Sequence, residues 1–234
     1  MTIGVISAMD SEHRQLVERL QEKKVADYGH LHYVEGLLGG NHVILTQCGI
    51  GKVNAAVGAT ELIRRFAPDC IISTGVAGGI DACLKVMDVV VSERLVYHDV
   101  WCGEGNEYGQ VQGLPAAYEG CASLLEHALS LNNAGPESRI CKGLICTGDR
   151  FITDRAELGA IKHRFPAGLA VDMESAAIAQ VCHLYGIPFL SFRIISDTPG
   201  VEDHSAQYAD FWGTMAECSF LSTWAFLSTL PDSL

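Results

Sequence analysis

Residues 168–197 read GLAVDMESAAIAQVCHLYGIPFLSFRIISD. Gly168-Leu-Ala-Val171 is a short apolar run suited to a buried strand. From Ser175 the pattern changes, and Ala176, Ala177, Ile178, Ala179, Val181, Cys182 and Tyr185 cover a wide apolar face at helical spacing. Gly186 ends that helix, because glycine takes the left-handed conformation without penalty, and Pro188 prevents its re-extension. Phe189 to Ile195 reads as a second buried strand. The stretch therefore predicts a parallel strand–helix–strand crossover, right-handed, with ligand beyond the carboxyl ends of the strands. It brings Glu174 and Asp197 to one sheet edge. Glu174 lies near the helix start, where the macrodipole favours its ionised form. Asp197 opens the turn Thr198-Pro199-Gly200. Either carboxylate alone reads as a surface cap or a turn former. Both at matching strand exits point to acid/base or cation-stabilising chemistry.

Outward from that unit the elements alternate. Strands are expected at Ile3–Ser7, Tyr33–Leu37, Val43–Cys48, Cys70–Thr74, Val86–Ser92 and Lys142–Cys146, with a hairpin turn at Gly39-Gly40-Asn41. Helices are expected over Glu12–Leu20, Lys52–Phe66 and Ala122–Leu131, with an amphipathic terminal helix over Ala216–Leu230. This order predicts an α/β three-layer sandwich with a mixed, mainly parallel central sheet flanked by helices. Gly75-Val-Ala-Gly-Gly79 follows one strand and suggests close backbone approach to a flat ligand.

The chain has 234 residues, 48% hydrophobic and 19% charged. No linker or repeat interrupts it, so residues 1–234 are expected to form one domain burying roughly 70–75% of its unfolded surface. A formal net charge of −12 argues against nucleic acid or anionic membrane as partners. No leader and no bilayer-length apolar run is seen, which points to a cytoplasmic protein. The nine cysteines form no C-x-x-C pair, and Cys70, Cys146 and Cys182 sit in apolar runs, as buried free thiols do. No metal-ligand spacing appears. Cys48-Gly49-Ile50-Gly51-Lys52-Val53 fails both the phosphate-loop and the dinucleotide patterns, so neither ATP nor NAD is supported.

Seven motifs occur together in order: Ile6-Ser-Ala-Met9-Asp-Ser-Glu12, Gly49-Ile-Gly-Lys-Val-Asn54, Ser73-Thr-Gly-Val-Ala-Gly-Gly79, Tyr97-His-Asp99, Gly148-Asp-Arg-Phe-Ile152, Val171-Asp-Met-Glu174 and Ile195-Ser-Asp197. The set resembles the 5′-methylthioadenosine/S-adenosylhomocysteine nucleosidases of the purine nucleoside phosphorylase superfamily, from Met1 to about Asp197. The resemblance implies hydrolysis of the adenine–ribose bond. It implies that Glu12 activates water, that Asp197 protonates adenine N7, and that Met173 and Glu174 hold the ribose. It implies that Phe151 stacks on the base and that the Ile152 backbone reads its edge. It also implies that Met9, Ile50 and Val76 line the pocket, that Gly78 approaches the substrate, and that Arg193 and Ser196 orient the acid. Tyr208 is matched loosely to a lid aromatic. A homodimer is implied, with the Val100–Gln112 loop near the partner's site, and no metal or organic cofactor.

The chemistry calls for such parts. Adenine leaves poorly until protonated, and its departure generates an oxocarbenium-like sugar. General acid catalysis supplies typically ~10²–10⁴-fold; cation stabilisation and orientation supply the rest. Asp197 then needs a raised pKa. Two alternatives remain: a phosphate-dependent phosphorylase, against which stand Ile71-Ile72-Ser73-Thr74 without arginine and the repelling Glu12, and a non-catalytic nucleoside-binding protein. The loop carrying Trp101 and Tyr108 leaves the preferred 5′ substituent open.

Overall fold

A computed structural model describes residues 1–134, 138–198, 204–212 and 216–234. The order is β1 (Thr2–Ser7), α1 (Asp10–Val17), β2 (Gln21–Tyr28), β3 (Leu31–Leu38), β4 (Asn41–Gln47), α2 (Lys52–Phe66), β5 (Cys70–Gly79), β6 (Val89–Tyr97), β7 (Tyr118–Glu119), α3 (Ala122–Ser130), β8 (Ile140–Thr147), α4 (Arg155–Arg164), β9 (Gly168–Asp172), α5 (Ser175–Tyr185), β10 (Phe189–Asp197), α6 (His204–Asp210) and α7 (Ala216–Ser228). The fold is α/β with a mixed sheet. Its strands run in the order β10-β6-β8-β9-β5-β1-β4-β3-β2, and β10 also pairs with β5. Five strands thus close on themselves, while β1, β4, β3 and β2 extend from β5 as an open wing.

Period-two alternation gives the sheet two apolar faces. Ile3, Val5, Val43, Leu45, Cys70 and Ile72 point to one, shared with Leu16 of α1, Leu124 of α3 and Trp224 of α7. Ile6, Ile44 and Ile71 point to the other, shared with Ala55, Ala59 and Leu62 of α2 and Ile178 of α5. This is the expected layering of helices on both faces. Among the described cysteines all are free, and Cys70, Cys146 and Cys182 are buried.

The expected parallel crossover is not what residues 168–197 form. Strands β9 and β10 flank β5 instead. β9 pairs with it antiparallel through Gly78 and Val171; β10 pairs with it in parallel through Gly78 and Asp197. The two carboxylates still converge, because both strands end beside Gly78. An apolar run specifies burial, not the neighbour or its direction, so the pattern alone does not fix this register.

Three further expectations shift. The glycine cluster 75–79 is strand, not loop, and β5 runs through it. The strand expected at Val86–Ser92 starts after a turn at Met87, whose φ is 76°, and runs on to Tyr97. Strand β2 and helix α4 have no counterpart in the reading: β2 is exposed along nearly its whole length, and α4 buries only Leu158 and Ile161. The turn at 199–200 and residues 201–203 of the divergent segment lie outside the described residues. No helix among the described residues is long and apolar enough to cross a membrane.

Candidate active site

Glu12, Glu174 and Asp197 line one cleft of about 640 Å³, counting its part open to solvent. Such dimensions suit a nucleoside-sized ligand. Met9, Ile50, Val76, Gly78, Phe151, Ile152, Met173, Ser196 and Tyr208 line it too. Of the residues expected at the site, Arg193 alone stands behind the wall. Ala8, Ala77, Val171, Asp172 and Arg150 also border the cleft; all five lie in the ordered motifs, but none is given a role there.

Glu12 is the third residue of α1 and 1% exposed. Its Oε2 accepts the N–H groups of Ala8 and Met9 at 2.9 and 3.0 Å, the reach-back that stabilises helix starts. Its Oε1 accepts the Val76 N–H of β5 at 3.0 Å. Burial pushes its pKa up, against the pull of Arg193 and of these three N–H groups. A carboxylate raised toward neutrality is a stronger base.

Glu174 is also buried. Its Oε1 accepts the Gly51 N–H at 2.9 Å. The side chain therefore lies at the N-terminus of α2, not over its own helix α5, which it leaves without a side-chain cap. Burial moves its pKa to about 7; Arg193 and the Gly51 N–H oppose that rise, and the Asp172 and Glu12 charges reinforce it. The expected preference for the ionised form is thus outweighed by desolvation.

Asp197 ends β10 and is buried. The Ser196 hydroxyl donates to its Oδ1 at 2.8 Å. A Cβ on Gly78 would stand 3.2 Å from Asp197 Oδ2, and one on Gly75 would stand 2.4 Å from Glu12 Oε1. The glycines make room for carboxylates, a function the flat-ligand reading did not identify.

Arg193 is fully buried. Its Nε lies 2.9 Å from Asp172 Oδ2 and donates to Ser175 Oγ at 3.1 Å, while Nη2 donates to Ser73 Oγ at 2.8 Å. Nη2 is 3.8 Å from Glu174 Oε2. The Thr147 hydroxyl donates to the other oxygen, Asp172 Oδ1, and the Ser175 hydroxyl donates to the same Oδ2 that faces Arg193. This satisfied network explains how one guanidinium sits among three carboxylates. Four strands and a helix supply it, which is why sequence spacing does not reveal it.

On the open side, Phe151 and Tyr208 meet edge to face at 5.2 Å, and the Tyr208 hydroxyl reaches Met9 Sδ at 3.5 Å. Among the described residues no group of three His, Cys, Asp or Glu is placed to hold a metal.

The phosphorylase superfamily model matches residues 2–228. The chain is 44% identical over 201 residues to the 5′-methylthioadenosine/S-adenosylhomocysteine nucleosidase of Chromohalobacter salexigens, covering 86% of each. It superposes with a TM-score of 0.91 on the Neisseria meningitidis nucleosidase in complex with methylthio-immucillin-A, at 37% identity over 98% of this chain and 99% of that one. For the Colwellia psychrerythraea enzyme in complex with adenine, the TM-score is 0.92 at 35% identity, over 100% and 97%. With Glu12, Glu174 and Asp197 on one cleft of this fold, the chain belongs to the phosphorylase superfamily and, within it, to the 5′-methylthioadenosine/S-adenosylhomocysteine nucleosidases.

Proposed function

We propose that the cleft hydrolyses the N-glycosidic bond of 5′-methylthioadenosine, S-adenosylhomocysteine and related 5′-substituted adenosines, releasing adenine and the 5-substituted ribose. The convergence of Glu12, Glu174 and Asp197 on one nucleoside-sized cleft carries this reading. Asp197 protonates adenine N7, which turns the base into a leaving group. Glu12 takes the proton of the attacking water. Glu174 holds the ribose hydroxyls and stabilises the oxocarbenium-like transition state. Phe151 stacks on the base, and the Ile152 backbone reads its edge.

Water is favoured over phosphate by the anion balance around Glu12. The Val76 N–H is already taken by Glu12, and the Arg193 guanidinium by Asp172, Ser175 and Ser73. A phosphate dianion beside Glu12 would meet carboxylates, and Arg150, the cation that borders the cleft among the described residues, is paired with Glu157 at 2.6 Å. Adenine release is therefore expected to proceed at the same rate with and without phosphate. Strict phosphate dependence would overturn hydrolysis and favour phosphorolysis.

The reading extends to a single domain over residues 1–234, acting in the cytoplasm as a homodimer in methionine salvage. Support for the dimer is the exposure of Ile50 at 52%, Val53 at 74%, Trp101 at 55% and Phe151 at 58%. Ile50 and Phe151 border the cleft mouth, and the 100–112 loop that carries Trp101 is assigned to the partner's site.

A further inference from the structure

Three charged residues from three of the motifs do not line the cleft, yet they tie together two chain segments that do, those carrying Ile50 and Phe151. Lys52 Nζ donates to both oxygens of Asp99 at 2.8 Å. Asp99 Oδ2 also accepts the Asp149 N–H at 2.9 Å, and Asp149 Oδ1 accepts the Lys52 N–H at 2.7 Å. The ring so closed joins the start of α2, the segment after β6 and the segment after β8. The Lys52 ammonium lies over the Tyr97 ring at 5.4 Å, which further restricts it. Lys52 and Asp99 are each about one-quarter exposed, at 24% and 23%. Ion pairs that open to water contribute little to stability. What this one provides is geometry.

Gly51 stands at the centre of that geometry. Its N–H holds Glu174 Oε1 at 2.9 Å. Its φ of +94° suits glycine, and an added Cβ would stand 3.0 Å from Asp149 Oδ1. The next residue, Lys52, is clasped through both its backbone N–H and its ammonium. We propose that Lys52, Asp99 and Asp149 are positioning residues that hold the Gly51 N–H against Glu174 and so fix the carboxylate that grips the ribose. The proposal rests on the reading of Glu174 given above.

The clasp has a consequence for titration. Glu174 is surrounded by Arg193 of β10, Asp172 of β9, Glu12 of α1, Cys48 after β4 and Tyr208 of α6. Arg193 and the Gly51 N–H favour its ionised form, and the carboxylates oppose it. Withdrawal of the Gly51 N–H moves its titration to higher pH, whereas a general loosening of the fold does not single out this group.

The test uses the full chain with Lys52→Met, Lys52→Arg and Glu174→Gln. It measures kcat, KM and the pH dependence of kcat for adenine release from 5′-methylthioadenosine, together with adenine affinity by calorimetry. Lys52→Met is expected to lose roughly 10–100-fold in kcat, since misplacing a reacting group by ~1 Å costs that order. The acid limb of its profile should move upward, while adenine, which lacks the ribose, binds within about twofold of normal. Lys52→Arg keeps a cation and should recover most of the rate. Wild-type kcat and pH profile in Lys52→Met, beside an impaired Glu174→Gln, would overturn the clasp alone. Equal losses in both lysine variants with an unmoved pH profile would also overturn it, as a merely structural effect. Wild-type turnover by Glu174→Gln would overturn the role given to Glu174, and the clasp with it. If Lys52→Met does not fold, Asp99→Asn carries the same measurements and the same expectations.

Discussion

Gly75→Ala is the most informative single substitution. Gly75 sits in β5 with φ +150°, and a Cβ there would stand 2.4 Å from Glu12 Oε1 and 2.7 Å from Arg193 Nη1. Ordinary contact begins at 3.4 Å, so the Glu12 oxygen must retreat by about 1 Å. That breaks its 3.0 Å bond from the Val76 N–H. Misplacement of a catalytic group by ~1 Å costs about 10²-fold, or roughly 3 kcal/mol in the barrier. The unfavourable φ costs a further ~1–3 kcal/mol of stability, a Tm drop of roughly 2–12 °C for a chain of this size. Adenine release from saturating 5′-methylthioadenosine gives kcat, and calorimetry gives Tm. Gly159→Ala is the control. Gly159 is an exposed residue of α4 with nothing within 4 Å of an added Cβ, and alanine there should raise stability by ~0.5–1 kcal/mol with kcat unchanged. A Gly75→Ala enzyme with kcat within about twofold of wild type would refute the argument that Glu12 must sit against β5 to work.

Asp197→Asn should abolish turnover while keeping the fold and adenine binding, and near-normal turnover would reject Asp197 as the proton donor. Stability without ligand should fall as pH rises from about 4.5 through about 7 on account of Glu174, whose raised pKa makes the folded state the better proton binder. His13 and His98, with pKa values lowered by burial, act in the opposite sense and lose stability below 6.5. The difference between wild type and Glu174→Gln isolates the glutamate, on the order of 1–3 kcal/mol. Parallel melting-versus-pH curves for the two proteins would show that Glu174 does not titrate there.

The sequence by itself determined the elements whose patterns are local. Helix α5 ends at Gly186, whose φ of 69° closes it within a single turn, and α2 runs over Lys52–Phe66 as its periodicity indicates. The candidate carboxylates were legible too, since each occurs in a short ordered motif. Tertiary structure alone decided how they meet. The direction of β9 relative to β10 depends on pairing with β5, some hundred residues earlier in the chain, and an apolar run looks the same in either orientation. The packing of Gly75 and Gly78 against carboxylates, the burial of Arg193 among Asp172, Ser175 and Ser73, and the Lys52–Asp99–Asp149 ring all join residues distant in sequence. Local propensity is a property of a few successive residues, whereas desolvation and charge balance exist only once the whole chain has closed around them.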